Sequence, residues 1–420
     1  MKAKHTDLEK LEQLYKESGN QLVVLYGRRG CQKEELIKEF CDGKKFFYYR
    51  CRQASPEHQL EMMGEEISRQ YKVSLSRQTY EEYFARIKSG DPSKLVVIID
   101  EAQFVAKRDA SFMEAVAKLK KHKLYPGPVL IILATSSTVW ATQEAAEQFK
   151  GAEMKLESLN FLEAVRHFES LPVAEIVRIY GAIGGVPAYL DKWDATKSFK
   201  DNICRLVLTP SGALYGEADA VISAELRELS AYSTILAAIA RGENKLNDIF
   251  HATGFSRAKI SVYLKNLANT FVNFWFKFVY PNMSNLYLLS PEEFYDTYIE
   301  KELDAYLERY FREVCTEYLL ILNQMGQLPF TIKRVGTWIG KTGRIDIVAQ
   351  SEDRRSIIGF CNWDKPMMTM DMCENMAMAM EQARLTSDDY YLFSATDFEP
   401  ALQSYVVRDP RFKLINMNEL

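Results

Sequence analysis

The sequence predicts an α/β chain that begins with a parallel sheet covered by helices, and three stretches predict it. Leu22-Val-Val-Leu-Tyr-Gly27 and Leu95-Val-Val-Ile-Ile-Asp100 are short, unbroken apolar runs with abrupt ends, as strands buried on both faces read. Val129-Leu-Ile-Ile-Leu-Ala134 is a third run of the same kind. Helical periodicity fills the intervals between them. Residues 22 to about 156 therefore alternate strand and helix, the pattern of a parallel sheet.

Ahead of the first strand, residues 1–20 read as an amphipathic helix with Leu8, Leu11, Leu14 and Tyr15 on one face. The strand then runs into Gly27-Arg-Arg-Gly-Cys-Gln-Lys-Glu34, the outline of a phosphate loop. In the pattern G-x-x-x-x-G-K-[ST] the second glycine lets backbone N–H groups close around phosphates, the lysine reaches the β/γ-phosphates and the hydroxyl ligates Mg²⁺. The nucleotide-binding candidates are thus Gly27, Arg28, Arg29, Gly30, Gln32, Lys33 and Glu34. Gly27 and Lys33 fit the pattern; Gln32 and Glu34 depart from it. A carboxylate at Glu34 facing a polyanion about 4 Å away is repelled by roughly 4 kcal/mol at an effective dielectric near 20. Gln32 adds a Cβ where the backbone must approach phosphate closely. Binding of ATP and Mg²⁺ is expected to be weak or absent.

The second strand ends in Asp100 and Glu101, which are the catalytic candidates. In phosphate-loop ATPases the first acid holds the Mg²⁺ shell, making Asp100 a metal candidate, and the second polarises the attacking water. The alternative for the pair is helix capping. A slow ATPase in which Glu34 ligates Mg²⁺ beside Asp100 and Glu101 is a second reading of the same residues. After the third strand, Thr135-Ser-Ser-Thr138 places hydroxyls to sense a γ-phosphate or to cap the next helix, and capping is the simpler role.

Residues 158–226 have helical periodicity, broken at Gly184-Gly-Val-Pro187, and read as a lid. Residues 230–267 spell a helix-turn-helix: Tyr232–Ala240, a turn at Arg241-Gly-Glu-Asn244, Lys245–Ala252, a turn at Thr253-Gly-Phe255, then a Ser-capped helix over 256–267. On that last helix Ile260, Leu264 and Leu267 face inward. Ser256, Arg257, Lys259 and Lys265 remain outside as candidates for contact with duplex DNA. The aromatic run Phe271-Val-Asn-Phe-Trp-Phe-Lys-Phe-Val-Tyr280 could stack on bases. Its alternation in a hairpin or core strand is the simpler expectation.

The remainder reads as a helix over 291–323, strands near 329–335, 343–349 and 355–363, a helix to about Leu385 and a strand over 389–394. That is the layout of a restriction-endonuclease-like core, which needs acids around a divalent metal and a lysine to position water. Asp346 supplies one acid and is the metal candidate here, but Phe360 and Asn362 occupy the companion positions. One carboxylate alone binds Mg²⁺ poorly.

Composition bounds the rest. With 420 residues, 47% hydrophobic and 26% charged, the chain is globular and has several domains. A net charge of −4 gives no global attraction to nucleic acid. The 7 cysteines include no C-x-x-C pair and the 5 histidines no H-E-x-x-H, which argues for reduced thiols and against zinc chemistry. No apolar run approaches membrane-spanning length and no apolar signal segment opens the chain, so a cytoplasmic protein without a membrane partner is expected.

Taken in order, these stretches resemble the archaeal-type ATPases that join an AAA-like P-loop module, a winged helix and a C-terminal domain built like a PD-(D/E)xK nuclease. The carriers are Val24-Leu-Tyr-Gly-Arg-Arg29, Ile99-Asp-Glu101, Gly184-Gly-Val-Pro-Ala-Tyr-Leu190, Phe274-Trp-Phe-Lys-Phe-Val-Tyr-Pro-Asn282, Val335-Gly-Thr-Trp-Ile-Gly340 and Ile345-Asp-Ile-Val-Ala349. The resemblance implies a P-loop NTPase core over 1–157, a helical lid over 158–226, a winged helix-turn-helix over 227–290 and a nuclease-like domain over 291–420. Members usually keep G-K-[ST] where this chain has Gln32-Lys-Glu34, and often Glu, Asp, Glu and Lys where it has Arg312, Asp346, Phe360 and Asn362. The chain then reads as a pseudo-ATPase scaffold that associates with DNA or a partner protein, with a pure protein-interaction module as a further alternative. Lys365, Glu374 or Glu381 would have to rebuild the second site.

Overall fold

The structure is a computed structural model that describes residues 5–87, 93–121, 124–125, 127–149, 152–225, 229–240, 243, 246–266, 270–340 and 343–417. Five strands form the first sheet: β1 (Gln21–Gly27), β2 (Phe46–Arg50), β3 (Leu95–Asp100), β4 (Val129–Thr135) and β5 (Ala152–Leu156). All neighbours are parallel, in the order β2-β3-β4-β1-β5. The expected apolar runs are its three central strands, and side chains alternate between two covered faces. Val23 and Leu25 pack with Leu11, Leu36 and Phe40 from the helices His5–Lys16 and Lys33–Cys41. Leu22 and Val24 face Met63, Ile67, Phe112 and Val116 on the opposite side. In such a sheet the loops at the carboxyl ends of the strands enclose the ligand crevice. Gly27, Arg50 and Asp100 therefore end at one edge.

Helices follow, including Phe161–His167, Val173–Ile183, Pro187–Leu190 and Glu217–Glu225. Next come Leu229–Ala240, Leu246–Thr253 and Arg257–Asn266, the expected helix-turn-helix. Ile260 is buried as expected; the side chains of Leu264, Lys265 and Leu267 and most of the turn 241–244 lie outside the described residues.

The aromatic run is a correction. It is helical, as Thr270–Phe274, a π-helical turn Trp275–Val279 and a 3₁₀ turn Tyr280–Asn282, and no strand lies between Leu156 and Arg334 among the described residues. Phe271, Phe274, Trp275, Phe278 and Val279 recur at helical spacing, and with Val272 and Phe276 also buried the helix keeps only a narrow polar stripe of Asn273 and Lys277. So narrow a polar stripe blurs the period that would have marked a helix.

A second sheet contains β6 (Arg334–Ile339), β7 (Arg344–Gln350), β8 (Ser356–Asn362), β10 (Asp389–Ser394) and β12 (Phe412–Asn416), while β9 (Met367–Met368) and β11 (Asp397–Phe398) form a separate pair. Its order is β12-β10-β8-β7-β6, antiparallel between β6 and β8 and parallel from β8 to β12. The helix expected over 291–323 is two, Pro291–Tyr298 and Glu300–Gln324, separated at Ile299. The strand expected near 329 starts later, at Arg334, and β12 was not anticipated. One core containing Leu159, Ile179, Phe274, Phe311, Ile347 and Phe393 unites the lid helices with a face of this sheet. Among the described residues no helix is long and apolar enough to cross a membrane.

Candidate nucleotide site

The loop after β1 folds back on itself, with Cys31 N–H donating to the Arg28 carbonyl at 3.1 Å. Gly30 sits at φ +83, a conformation that side chains rarely adopt, and a Cβ there would stand 2.8 Å from Val186 Cγ1 and 3.1 Å from Ala188 Cβ. The lid motif thus rests directly on the loop, and Ala188 N–H donates to the Gly30 carbonyl at 3.2 Å. Gln32 caps the helix Lys33–Cys41 from the left-handed region, at φ 58 and ψ 31. Lys33 is buried, and its Nζ donates to the Gly27 carbonyl at 3.2 Å.

Arg29 leans toward the lid. Its Nε is 3.5 Å from Glu217 Oε1, which also accepts from Tyr189 Oη at 2.9 Å. Arg28 is half-buried near the Cys31 thiol. Gly30, Gln32, Lys33, Glu101, Tyr189, Lys192 and Glu217 help to line a cleft of about 620 Å³ between the sheet edge and the lid.

Asp100 and Glu101 meet the loop at this edge, but their surroundings differ. Asp100 Oδ2 accepts from Tyr48 Oη at 2.8 Å, and its Oδ1 accepts from Glu101 N–H at 2.9 Å. Burial, with the nearby Glu101 charge, raises its carboxyl above the ordinary range against the pull of Tyr48, Arg50 and Lys33. Glu101 has a left-handed backbone, φ 51. Its Oε2 accepts from Gln103 Nε2 at 2.7 Å and Ser136 Oγ at 2.6 Å. Burial pushes the Glu101 carboxyl up, but these donors and Lys33 outweigh it and hold the group below its usual range. Gln103 in turn accepts from Thr135 Oγ1 at 2.6 Å. Within the expected capping run, Ser137 Oγ accepts from Trp140 N–H, while Ser136 instead holds Glu101.

Sequence reasoning missed Arg50. Its Nη1 donates to Glu34 Oε1 at 2.6 Å, and its Nε lies 3.7 Å from Asp100 Oδ2. The residues where Mg²⁺ would be held therefore do not fit an ion as they stand, because a guanidinium spans them. Register offered the one signal: Arg50 pairs with Asp100 across β2 and β3, so both finish at the loop.

The other candidates lie elsewhere in the fold. Ser256 Oγ accepts from Lys259 N–H at 3.2 Å, a helix cap. Arg257 donates from Nε to Asn247 Oδ1 at 2.8 Å and covers the Phe250 ring at 4.3 Å, while Lys259 Nζ is 4.7 Å from the Phe255 ring. In the second sheet Asp346 is buried, with Oδ1 at 3.0 Å from Arg312 Nε and 2.8 Å from Arg344 Nε, and its Oδ2 accepts from Cys361 N–H at 3.0 Å. Glu308 bridges the same two arginines. Phe360 is half-buried, and Asn362 donates to the Lys365 carbonyl and Ser394 Oγ. Lys365 pairs with Asp364. Among the described residues no group of three or more His, Cys, Asp or Glu side chains is arranged to hold a metal ion.

Compared with known proteins, residues 4–193 match the family described as an ATPase domain predominantly from Archaea, and residues 275–378 match one described as archaeal and bacterial proteins of unknown function. An uncharacterised protein of Methanocaldococcus jannaschii is 23% identical over 423 aligned residues, covering 93% of each chain. Among solved structures, a Walker-type ATPase of Pyrococcus abyssi is similar at 18% identity and a TM-score of 0.46, covering 65% of this chain and 95% of its own. The ORC2 protein of Aeropyrum pernix is similar at 13% identity and a TM-score of 0.40, covering 76% and 96%. The ATPase-domain match implies nucleotide and Mg²⁺ chemistry as a general property of such loops. Residues 4–193 are thus similar to an archaeal ATPase domain, and the matched segment of unknown function follows it in the chain.

Proposed function

We propose that this chain is a pseudo-ATPase: the P-loop module binds nucleotide weakly without turning it over, and the protein acts by associating with DNA or a partner protein. The observation that carries the reading is the pair of changes at the loop. Gln32 holds a strained conformation that a glycine would adopt without cost, and Glu34 is engaged with Arg50 where a hydroxyl would face Mg²⁺. The division into a core over 1–157, a lid over 158–226, a winged helix-turn-helix over 227–290 and a nuclease-like domain over 291–420 is part of the proposal. In the last of these, two arginines on Asp346 occupy the surroundings that a metal would need, and catalysis of nucleic-acid cleavage is not expected.

A slow ATPase is the second reading. Glu101 favours it, since Gln103, Ser136 and Lys33 keep its carboxylate ionised at the mouth of the cleft. Calorimetric titration with Mg²⁺-ATP separates the two. The native chain should bind weakly and the variant Gln32→Gly with Glu34→Thr should bind more tightly, through Gly27, Lys33 and Asp100. Low-micromolar affinity in the native chain, or no change in the variant, would count against the pseudo-ATPase.

A further inference from the structure

Arg50 ends β2 beside Asp100, and its guanidinium touches both groups between which a divalent ion would sit. Glu34 stands at the position of the Mg²⁺-ligating hydroxyl, and Asp100 at that of the acid that holds the metal's water shell. Asp100 also accepts from Tyr48 Oη at 2.8 Å and from Glu101 N–H at 2.9 Å, so little of it faces a newcomer. Mg²⁺ demands near-octahedral oxygen ligands at about 2.0–2.1 Å and sheds water reluctantly. A carboxylate pair already spanned by a guanidinium does not offer that geometry.

Arg50 also answers the charge problem posed by Glu34. An unpaired carboxylate in the loop would repel phosphate, whereas one bonded at 2.6 Å to a guanidinium is locally neutral. The guanidinium has five N–H donors in a fork that matches phosphate oxygens, and Glu34 uses one of them. Arg29, Lys33, Arg50 and Lys192 line the same cleft, four cations that offset the carboxylates of Glu34, Glu35, Glu101 and Glu217 beside them.

Resting on the nucleotide reading above, we propose that Arg50 is the resident cation of this site and that the cleft binds nucleoside polyphosphates without a divalent metal ion. The test is calorimetric titration of the full chain with ATP, once in excess EDTA and once in excess Mg²⁺, for the native protein, Arg50→Ala and Arg50→Lys. The native affinity in EDTA should lie within about fivefold of that in Mg²⁺. Arg50→Ala should lose roughly tenfold in EDTA, with Arg50→Lys between the two, because lysine keeps the charge and loses the fork. Thermal melts of the variants establish that each is folded. Native binding that weakens by about fivefold or more in EDTA overturns the metal-free site and leaves the nucleotide reading standing. Absence of binding in both buffers removes the nucleotide reading and this inference with it.

Discussion

Replacing Gln32 by glycine should stabilise the protein, although it shortens a side chain at the foot of a helix. Gln32 holds φ 58 and ψ 31, where the Cβ of an L residue crowds the following carbonyl oxygen. That crowding costs roughly 1–2 kcal/mol per residue. Glycine escapes it, but its freer unfolded chain returns roughly 0.4–1 kcal/mol. The net gain should be about 0.5–1 kcal/mol, which for a folding unit of roughly 150–250 residues raises the midpoint by about 1–4 °C. Differential scanning calorimetry of native protein, Gln32→Gly and Gln32→Ala measures it. Alanine retains the Cβ and the strain, so it serves as the control and should gain nothing. A lower midpoint for Gln32→Gly, or an equal gain for both variants, would show that backbone strain at this position is not what the substitution relieves.

Other substitutions test neighbouring parts of the account. Gly185→Ala would put a Cβ 1.9 Å from the Leu159 carbonyl oxygen, so chemical denaturation should show a loss of about 3 kcal/mol or more, and a smaller loss would mean that Gly185 does not pack this closely on the segment that follows β5. Asp346→Ala leaves Glu308 as the remaining carboxylate on Arg312 and Arg344 and should cost about 1.5–3 kcal/mol, while native protein and variant alike leave DNA intact with Mg²⁺ or Mn²⁺. Metal-dependent nicking abolished by the variant would show a rebuilt nuclease site. Glu101 is held below its ordinary range, so its contribution is present above the unfolded value and is lost as pH falls through the folded one. Ser136→Ala should therefore lower stability at neutral pH and shrink the part lost on acidification; an unchanged pH profile would deny Ser136 that role. Duplex-DNA binding should weaken across sequences when Arg257, Lys259 and Lys265 become alanine, with the log–log salt slope falling by about 0.9 per lost phosphate contact. Identical gel-shift titrations for native and triple variant would remove the DNA role from this helix.

The N-terminal sheet was legible because buried parallel strands are uninterrupted apolar runs, and Leu95–Asp100 and Val129–Thr135 admit no other strand period. The segment after Thr270 was not legible, since a helix that buries Phe271, Val272, Phe274, Trp275 and Phe276 alike leaves only Asn273 and Lys277 as a polar stripe. The break at Ile299 left no glycine or proline to read. At the site, the loop residues and the two acids were evident from their spacing. Arg50 was hidden because its meaning comes from register with Asp100, a contact between residues fifty apart in sequence. Ser136 and Gln103 acquire their role in the same way, through hydrogen bonds that only the assembled sheet edge creates.

Loss of turnover is the central claim, and steady-state phosphate release from ATP by the full chain tests it most directly when Glu101→Gln is measured beside it. The variant retains the shape of Glu101 but cannot polarise a water, so it sets the baseline for a site without chemistry. A native rate equal to that baseline, with Mg²⁺ present, is the predicted result. A native rate clearly above it, abolished by Glu101→Gln, would contradict the account and make this chain a working ATPase.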